Sequence, residues 1–129
     1  MDEKAIFQKV RPYGADILAL PVADVELAAN WYAEHFAMVE AERKSTPWPT
    51  VIMERDGVRI GFSVNGGDSW REGAAILVND IVAARVELES KGVEVKNFRV
   101  EERDGKQFLV FFVEAPDRLC YYFHQLVAG

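Results

Sequence analysis

The chain is short of cysteine, of positive charge and of long apolar runs, and each shortage excludes a class of protein. Cys120 is the single cysteine, so no disulfide can form within the chain, which favours the reducing cytoplasm. The net charge of −6 opposes binding to the phosphates of nucleic acid. Residues 1–14 lack the apolar core of a signal peptide, and no apolar run reaches membrane-spanning length. We therefore predict a cytoplasmic protein without nucleic-acid or membrane partners.

The chain contains enough hydrophobic residues to form a buried core. Half of the 129 residues are hydrophobic and 12% are aromatic, which excludes a disordered chain and fits one domain over residues 1–129. The acidic balance favours a neutral or cationic ligand over an anionic one, through an attraction of modest strength that salt weakens.

One order of elements is predicted twice along the chain, first in its N-terminal half. An apolar strand over 15–22 leads to Asp24, whose side chain can accept hydrogen bonds from the free N–H groups of a helix start. The helix that follows has an apolar stripe at helical spacing, through Ala28, Trp31, Tyr32, His35 and Phe36. Three further strands are predicted at 38–44, 50–55 and 58–64, the last two joined by the hairpin signal Asp56-Gly57.

The second half repeats this order. A strand over 74–78 leads to Asp80, which can cap a helix that ends at Lys91-Gly92. Strands are then predicted at 93–102, 106–114 and 119–127, and residues 1–14 as an arm or an extra strand or turn. The fold class is therefore α+β, with two βαβββ modules at about 15–64 and 73–127. They should form one curved, largely antiparallel mixed sheet around a cleft, with the helices outside and a small-molecule site in the cleft.

These features resemble the vicinal oxygen chelate superfamily, which includes glyoxalase I, extradiol dioxygenases, fosfomycin-resistance enzymes and bleomycin-resistance proteins. The first helix carries Trp31-Tyr32-x-x-x-Phe36-Ala37, and the second matches the family through Asp80, Leu88 and Lys91-Gly92. The resemblance covers about residues 15–127. It implies the fold and a homodimer, since short members often complete their clefts across subunits.

The chain departs from the family where the resemblance would place metal ligands. Metal-dependent members usually have a ligand seven residues before each capping aspartate, and Ile17 and Gly73 occupy those positions. The usual glutamate of the last strand falls at about Tyr122, and the fourth ligand falls near Gly61 or Ser63. A phenol and a hydroxyl do not make the converging set of nitrogen and oxygen ligands that such metals need. We therefore predict no metal and no other cofactor.

The candidate ligand-binding residues are Trp48, Ser63, Trp70, Tyr122 and His124. Tyr122 and His124 lie two apart on the last strand and so share a face. His124 could bind a polar group or transfer a proton, or it could lie at a dimer seam or a strand end. Trp48 and Trp70 lie in connections, where each could be a lid over the cleft or a cover for a core edge or partner subunit. With the strands placed as the resemblance implies, the same period of two predicts a cleft lined mostly by small residues: Ile17, Ala19, Pro21, Gly61, Ser63, Gly73, Ala75 and Cys120.

Binding without chemistry is the function that these observations favour. No catalytic pair, phosphate loop or nucleophile elbow is recognisable in the sequence. We predict a metal-independent protein of the bleomycin-resistance type that sequesters a neutral or cationic organic compound. The alternative is an enzyme of the same superfamily, a lyase, isomerase or dioxygenase with non-standard metal ligands. A third reading, a regulatory module whose sheet contacts another protein, stays open.

Overall fold

The computed structural model describes residues 5–14 and 16–128, and these form nine strands and two α-helices. The strands are β1 (Phe7–Pro12), β2 (Leu20–Pro21), β3 (Val39–Lys44), β4 (Thr50–Arg55), β5 (Val58–Ser63), β6 (Gly73–Val78), β7 (Lys96–Arg103), β8 (Lys106–Glu114) and β9 (Cys120–Ala128). The helices are α1 (Val25–His35) and α2 (Ile81–Ser90), and short 3-10 turns lie at Ser69–Arg71 and Pro116–Arg118. Neither α1 nor α2 is long and apolar enough to cross a membrane.

Both helices begin at the predicted aspartates. The Asp24 carboxylate accepts hydrogen bonds from the backbone N–H groups of Glu26 and Leu27, at 2.8 and 3.1 Å. The Asp80 carboxylate accepts one from the N–H of Ala83 at 3.0 Å. A cap of this kind contributes about 1 kcal/mol to stability. The two predicted helix starts are therefore confirmed.

The strands form two hydrogen-bonded sheets and not the single sheet that the sequence predicted. The five-stranded sheet has the order β1-β6-β9-β8-β7, and the four-stranded sheet has the order β2-β5-β4-β3. Both are mixed, because β6 runs parallel to β9 and β2 runs parallel to β5. The α+β class is confirmed, with the strands of each module in a sheet of their own. The extra strand expected near the N-terminus is β1, which pairs with β6.

The predicted strand over 15–22 is wrong in its extent. Only Leu20–Pro21 pair with β5, whereas 16–19 form a turn in which the Ala19 N–H donates to the Asp16 carbonyl at 3.1 Å. The Asp16 carboxylate also accepts from the Leu18 N–H, at 2.9 Å. Aspartate commonly bends the backbone through such a bond two residues on, and this outweighs the apolar letters around it. Ala15 lies outside the described residues.

The core joins both sheets to both helices. The ring of Tyr32 on α1 stacks on Phe62 of β5, with centroids 4.1 Å apart, and its hydroxyl shares a 2.6 Å hydrogen bond with the hydroxyl of Tyr121 on β9. Leu88 of α2 belongs to the same buried cluster, as does Phe7 of β1. The helices therefore cover one face of the sheets, and the opposite face of the five-stranded sheet is left open.

Candidate ligand site

The open face is set by the alternation of side chains along β9. Tyr121 and Phe123 are fully buried against the helices. Because successive residues of a strand point to opposite faces, Cys120, Tyr122 and His124 point away from the helices. This is the side predicted for these three residues.

Neighbouring strands extend the open face. On β6, Ala75 and Leu77 lie directly beside the outward-pointing residues of β9. On β1, Arg11 and Lys9 lie opposite Ala75 and Leu77. Cross-strand partners share a face, so two cationic side chains stand at the edge of this surface.

A cavity of about 480 Å³ lies on the open face. Its floor comes from β6, β8 and β9. One wall comes from β1, and the other comes from the hairpin between β7 and β8. The floor side chains are mainly apolar: Ala75, Leu77, Phe108, His124 and Leu126. The walls are charged: Lys9, Arg11, Arg103, Asp104 and Lys106.

His124 is the polar residue at the floor of this cavity. Its ring centroid lies 5.8 Å from that of Phe108 and 5.3 Å from that of Tyr122. Burial and the positive charges of Arg103 and Arg11 lower the pKa of His124 to about 4. Its Nδ1 is buried and has no hydrogen-bond partner among residues 5–14 and 16–128. The imidazole is therefore neutral at neutral pH and has unused hydrogen-bonding capacity.

Tyr122 lies beside His124 but does not line the cavity, and its hydroxyl is already engaged. That hydroxyl donates a 2.7 Å hydrogen bond to Oε1 of Glu101 on β7. Burial and this bond raise the pKa of Tyr122 to about 12, and the same bond, with the nearby charges of Arg103 and Arg99, lowers the pKa of Glu101. The pair is thus held as a phenol and a carboxylate, and it fixes β9 against β7 beside the cavity.

The other three candidate residues lie elsewhere. Ser63 is buried, and its hydroxyl accepts a hydrogen bond from Thr50 at 3.1 Å. Trp48 lies half-exposed in the loop before β4, and Trp70 is two-thirds exposed, with the guanidinium of Arg118 only 3.9 Å from its ring centre. Neither tryptophan lines the cavity. The structure thus brings the two β9 candidates together, and leaves the remaining three apart from them.

The predicted lining by the first strand is also wrong. The turn at 16–19 lies on β5, where an added Cβ on Gly61 would come within 2.1 Å of the Leu18 carbonyl oxygen. Ile17 packs partly against the core, and Pro21 is buried. The turn therefore covers β5 at the position where the sequence predicted open space.

The positions that the resemblance assigns to metal ligands do not fit a divalent metal. Ile17 has no donor atom in its side chain. Gly73 has no side chain, and a Cβ there would lie 1.9 Å from the carbonyl oxygen of Cys120. The hydroxyl of Tyr122 is bonded to Glu101. In the part of the chain that the structure describes, no three His, Cys, Asp or Glu side chains are grouped to hold a metal ion.

Sequence reasoning missed the cationic walls of the cavity. Lys9 and Arg11 alternate with apolar residues, a pattern typical of a strand with one polar face. Arg103 and Lys106 flank Asp104-Gly105, a dipeptide typical of turns, where charged residues are ordinary. No local signal reveals that these two segments, more than ninety residues apart, face the same cavity.

Solved structures with the same fold are similar to this chain at low sequence identity. TnmS3, an antibiotic binding protein from Streptomyces sp. CB03234, has a TM-score of 0.67 at 15% identity, over 88% of this chain and 97% of that one. A glyoxalase family protein from Bacillus anthracis has a TM-score of 0.65 at 23% identity, over 85% and 90%. A glyoxalase/bleomycin resistance protein/dioxygenase from Alicyclobacillus acidocaldarius has a TM-score of 0.65 at 17% identity, over 84% and 88%.

No family model matches the chain, and no curated protein matches it in sequence. The structural likeness shows that the chain has the vicinal oxygen chelate fold, as the order of its elements predicted. A fold of this kind hosts many functions, so the function has to be argued from the site.

Proposed function

We propose that the chain binds a small organic molecule in the cavity on the open face, without a metal, in the manner of a bleomycin-resistance protein. The cavity carries the proposal. Its volume of about 480 Å³ suits a small molecule. Its mainly apolar floor can bury the body of a ligand, and the charged side chains at its rim can orient one. That combination is the usual composition of a ligand pocket.

Two of the sequence candidates belong to this proposal. His124 lines the cavity floor, so we assign its ring a direct contact with the ligand. Tyr122 lies beside His124 on the same face of β9, where it contacts the His124 ring and is itself held by Glu101. Ser63, Trp48 and Trp70 lie away from the cavity and have no part in it.

The proposal includes a homodimer that sequesters its ligand in the cytoplasm. TnmS3, which has the same fold, is an antibiotic binding protein, and this supports a role in antibiotic resistance. A single cysteine cannot form a disulfide within the chain, which is consistent with the reducing cytoplasm. Val39 and Val100 are each about three-fifths exposed, and a symmetric partner could bury such apolar side chains.

Native mass spectrometry tests these points together. Protein purified without chelator should have the mass of two chains, each 14.6 kDa, and should carry a retained organic compound but no stoichiometric divalent metal. The matched variant is Ala75→Trp, which fills the cavity from the open face and leaves the core side of β6 unchanged. It should lose the retained compound.

Three results would count against the proposal. A divalent metal bound at one per chain would favour the enzyme alternative. Equal retention of the compound by Ala75→Trp would place the ligand somewhere else. Absence of any retained compound, with no stabilisation by a broad panel of organic compounds in thermal unfolding, would contradict small-molecule binding, because a ligand that binds only the folded state must raise its stability.

A further inference from the structure

The charge around the cavity is opposite in sign to the charge of the whole chain. The net charge of −6 predicted a neutral or cationic ligand. The cavity walls, however, carry four cationic side chains and one anionic side chain, Asp104. Local charges within a few ångströms outweigh a diffuse net charge, since solvent and salt screen the distant charges. The field inside the cavity therefore disfavours a cation.

Most of these cationic groups have no ion-pair partner in the part of the chain that the structure describes. Lys9, Arg11 and Lys106 make no ion pair within residues 5–14 and 16–128. Elsewhere in the chain, Arg43 and Arg55 each pair with a glutamate at close range. Cationic side chains that surround one cavity without ion-pair partners can form charge-assisted hydrogen bonds with a bound anion.

Arg103 is positioned in advance on the opposite wall. Its guanidinium lies 4.4 Å from the ring centre of Phe108 and 5.4 Å from that of Tyr122. Its Nε is 3.5 Å from Oε1 of Glu101. This contact restrains one edge of the guanidinium, and the other edge stays near the cavity. A side chain restrained by two aromatic faces loses less entropy when it binds a ligand.

The span between the walls defines the size of ligand that could touch both. Strand β1 is separated from β7, which carries Arg103, by β6, β9 and β8, which at the usual strand spacing amounts to about 19 Å. Long arginine and lysine side chains shorten that span from both sides. Between them lie the apolar side chains of Leu77, Phe108 and Leu126.

From this arrangement we propose that the ligand is a small organic anion. Its carboxylate or phosphate group lies among Lys9, Arg11 and Arg103, and its flat apolar body lies on the floor beside Phe108. The inference rests on the proposed function, because it names the chemical class of the ligand for the same cavity.

Probes that share a naphthalene ring and differ in the charged or polar group attached to it test the proposal. The set consists of 2-naphthoate, 2-naphthyl phosphate, 2-naphthalenemethanol and 2-naphthylmethylammonium, titrated into the protein by calorimetry at low salt. We expect the better of the two anions to bind at least about tenfold more tightly than the alcohol and the ammonium. Added salt should weaken the anions and leave the alcohol unchanged, because salt screens only the charged contact. Comparison of the two anions identifies the preferred acidic group.

Two variants locate the contact. Arg11→Gln should weaken the better anion by about tenfold, the loss expected for one charge-assisted contact, and should leave the alcohol unchanged. Arg71→Gln makes the same change in net charge on an exposed side chain away from the cavity, and should change neither affinity.

The outcomes separate this proposal from the broader one. If the alcohol or the ammonium binds as tightly as the anions, the ligand is not an anion, although small-molecule binding stands. If Arg11→Gln leaves anion binding unchanged, the anion does not bind among these cations. If none of the four compounds binds at millimolar concentration, the anion proposal fails, while small-molecule binding is decided separately by the retained compound and the broad panel.

Discussion

At the scale of single residues, His124 reports on the electrostatics of the cavity. Burial and the charges of Arg103 and Arg11 hold its pKa at about 4, below the ordinary value of about 6.5. Between pH 6.5 and 4 the unfolded chain therefore takes up a proton at this position that the folded chain does not. Stability should fall as the pH falls through that window, and His124→Gln should remove this part of the pH dependence.

An NMR titration of the His124 ring measures this pKa directly. We expect a midpoint near pH 4 in the wild type, and a higher midpoint in Arg11→Gln, because one of the repelling charges is gone. An organic anion bound in the cavity should raise the midpoint for the same reason. A midpoint at or above 6.5 in the wild type would mean that the imidazole is neither buried nor surrounded by positive charge as described.

At the scale of elements, the turn at 16–19 depends on the absence of a side chain at Gly61. The Gly61 N–H donates to the Ile17 carbonyl at 2.9 Å, and a Cβ at this position would meet the Leu18 carbonyl oxygen at 2.1 Å. Both contacts are with backbone atoms, which cannot rotate away. Gly61→Ala should therefore lower the free energy of unfolding by about 3 kcal/mol or more, the cost of severe overpacking.

Gly66→Ala is the matched control for that substitution. Gly66 has a φ of 74° and open space around it, so alanine should cost only about 1 kcal/mol, from the left-handed backbone conformation. Urea unfolding of both variants measures the difference. Equal losses would show that the turn does not lie against β5 as closely as described.

At the scale of the whole molecule, Arg55 ties the two modules and the N-terminal strand together. Its guanidinium makes a bidentate pair with Glu87 of α2, at 2.7 and 2.8 Å, and donates to the backbone carbonyls of Phe36 and Ala5. It also lies 4.3 Å from the ring centre of Phe7. Arg55→Met leaves both carbonyls without their donor and leaves the mostly buried Glu87 with only Lys91, whose Nζ lies 3.6 Å away, so it should cost about 3 kcal/mol in chemical denaturation.

Two further variants make that prediction specific. Arg59→Met breaks an exposed pair with Glu54 and should cost less than about 1 kcal/mol. The double variant Arg55→Met with Glu87→Met removes both charges, so it should lose less stability than Arg55→Met alone. If Arg55→Met and Arg59→Met cost the same, Arg55 does not hold the modules together.

The sequence alone determined the features that depend on neighbours in the chain. The helix starts follow from Asp24 and Asp80, whose side chains reach backbone groups only two or three residues away. The hairpins at Asp56-Gly57 and Asp104-Gly105 follow equally locally, because both residues of each turn have positive φ. The face of β9 that carries His124 follows from a period of two. Because each helix and turn can be identified from residues close together in the chain, the order of these elements was enough to predict the fold.

The tertiary structure decided whatever depends on residues far apart in the chain. No local pattern shows that β1 pairs with β6, and this pairing places Lys9 and Arg11 across a cavity from Arg103. Nor does any local pattern show that the turn at 16–19 occupies the space beside Gly61. The sequence could therefore predict the fold, but its net charge pointed to a neutral or cationic ligand, whereas the cavity walls support the anion that we propose. Net charge sums over the whole surface, whereas a ligand meets only the side chains that folding places around it.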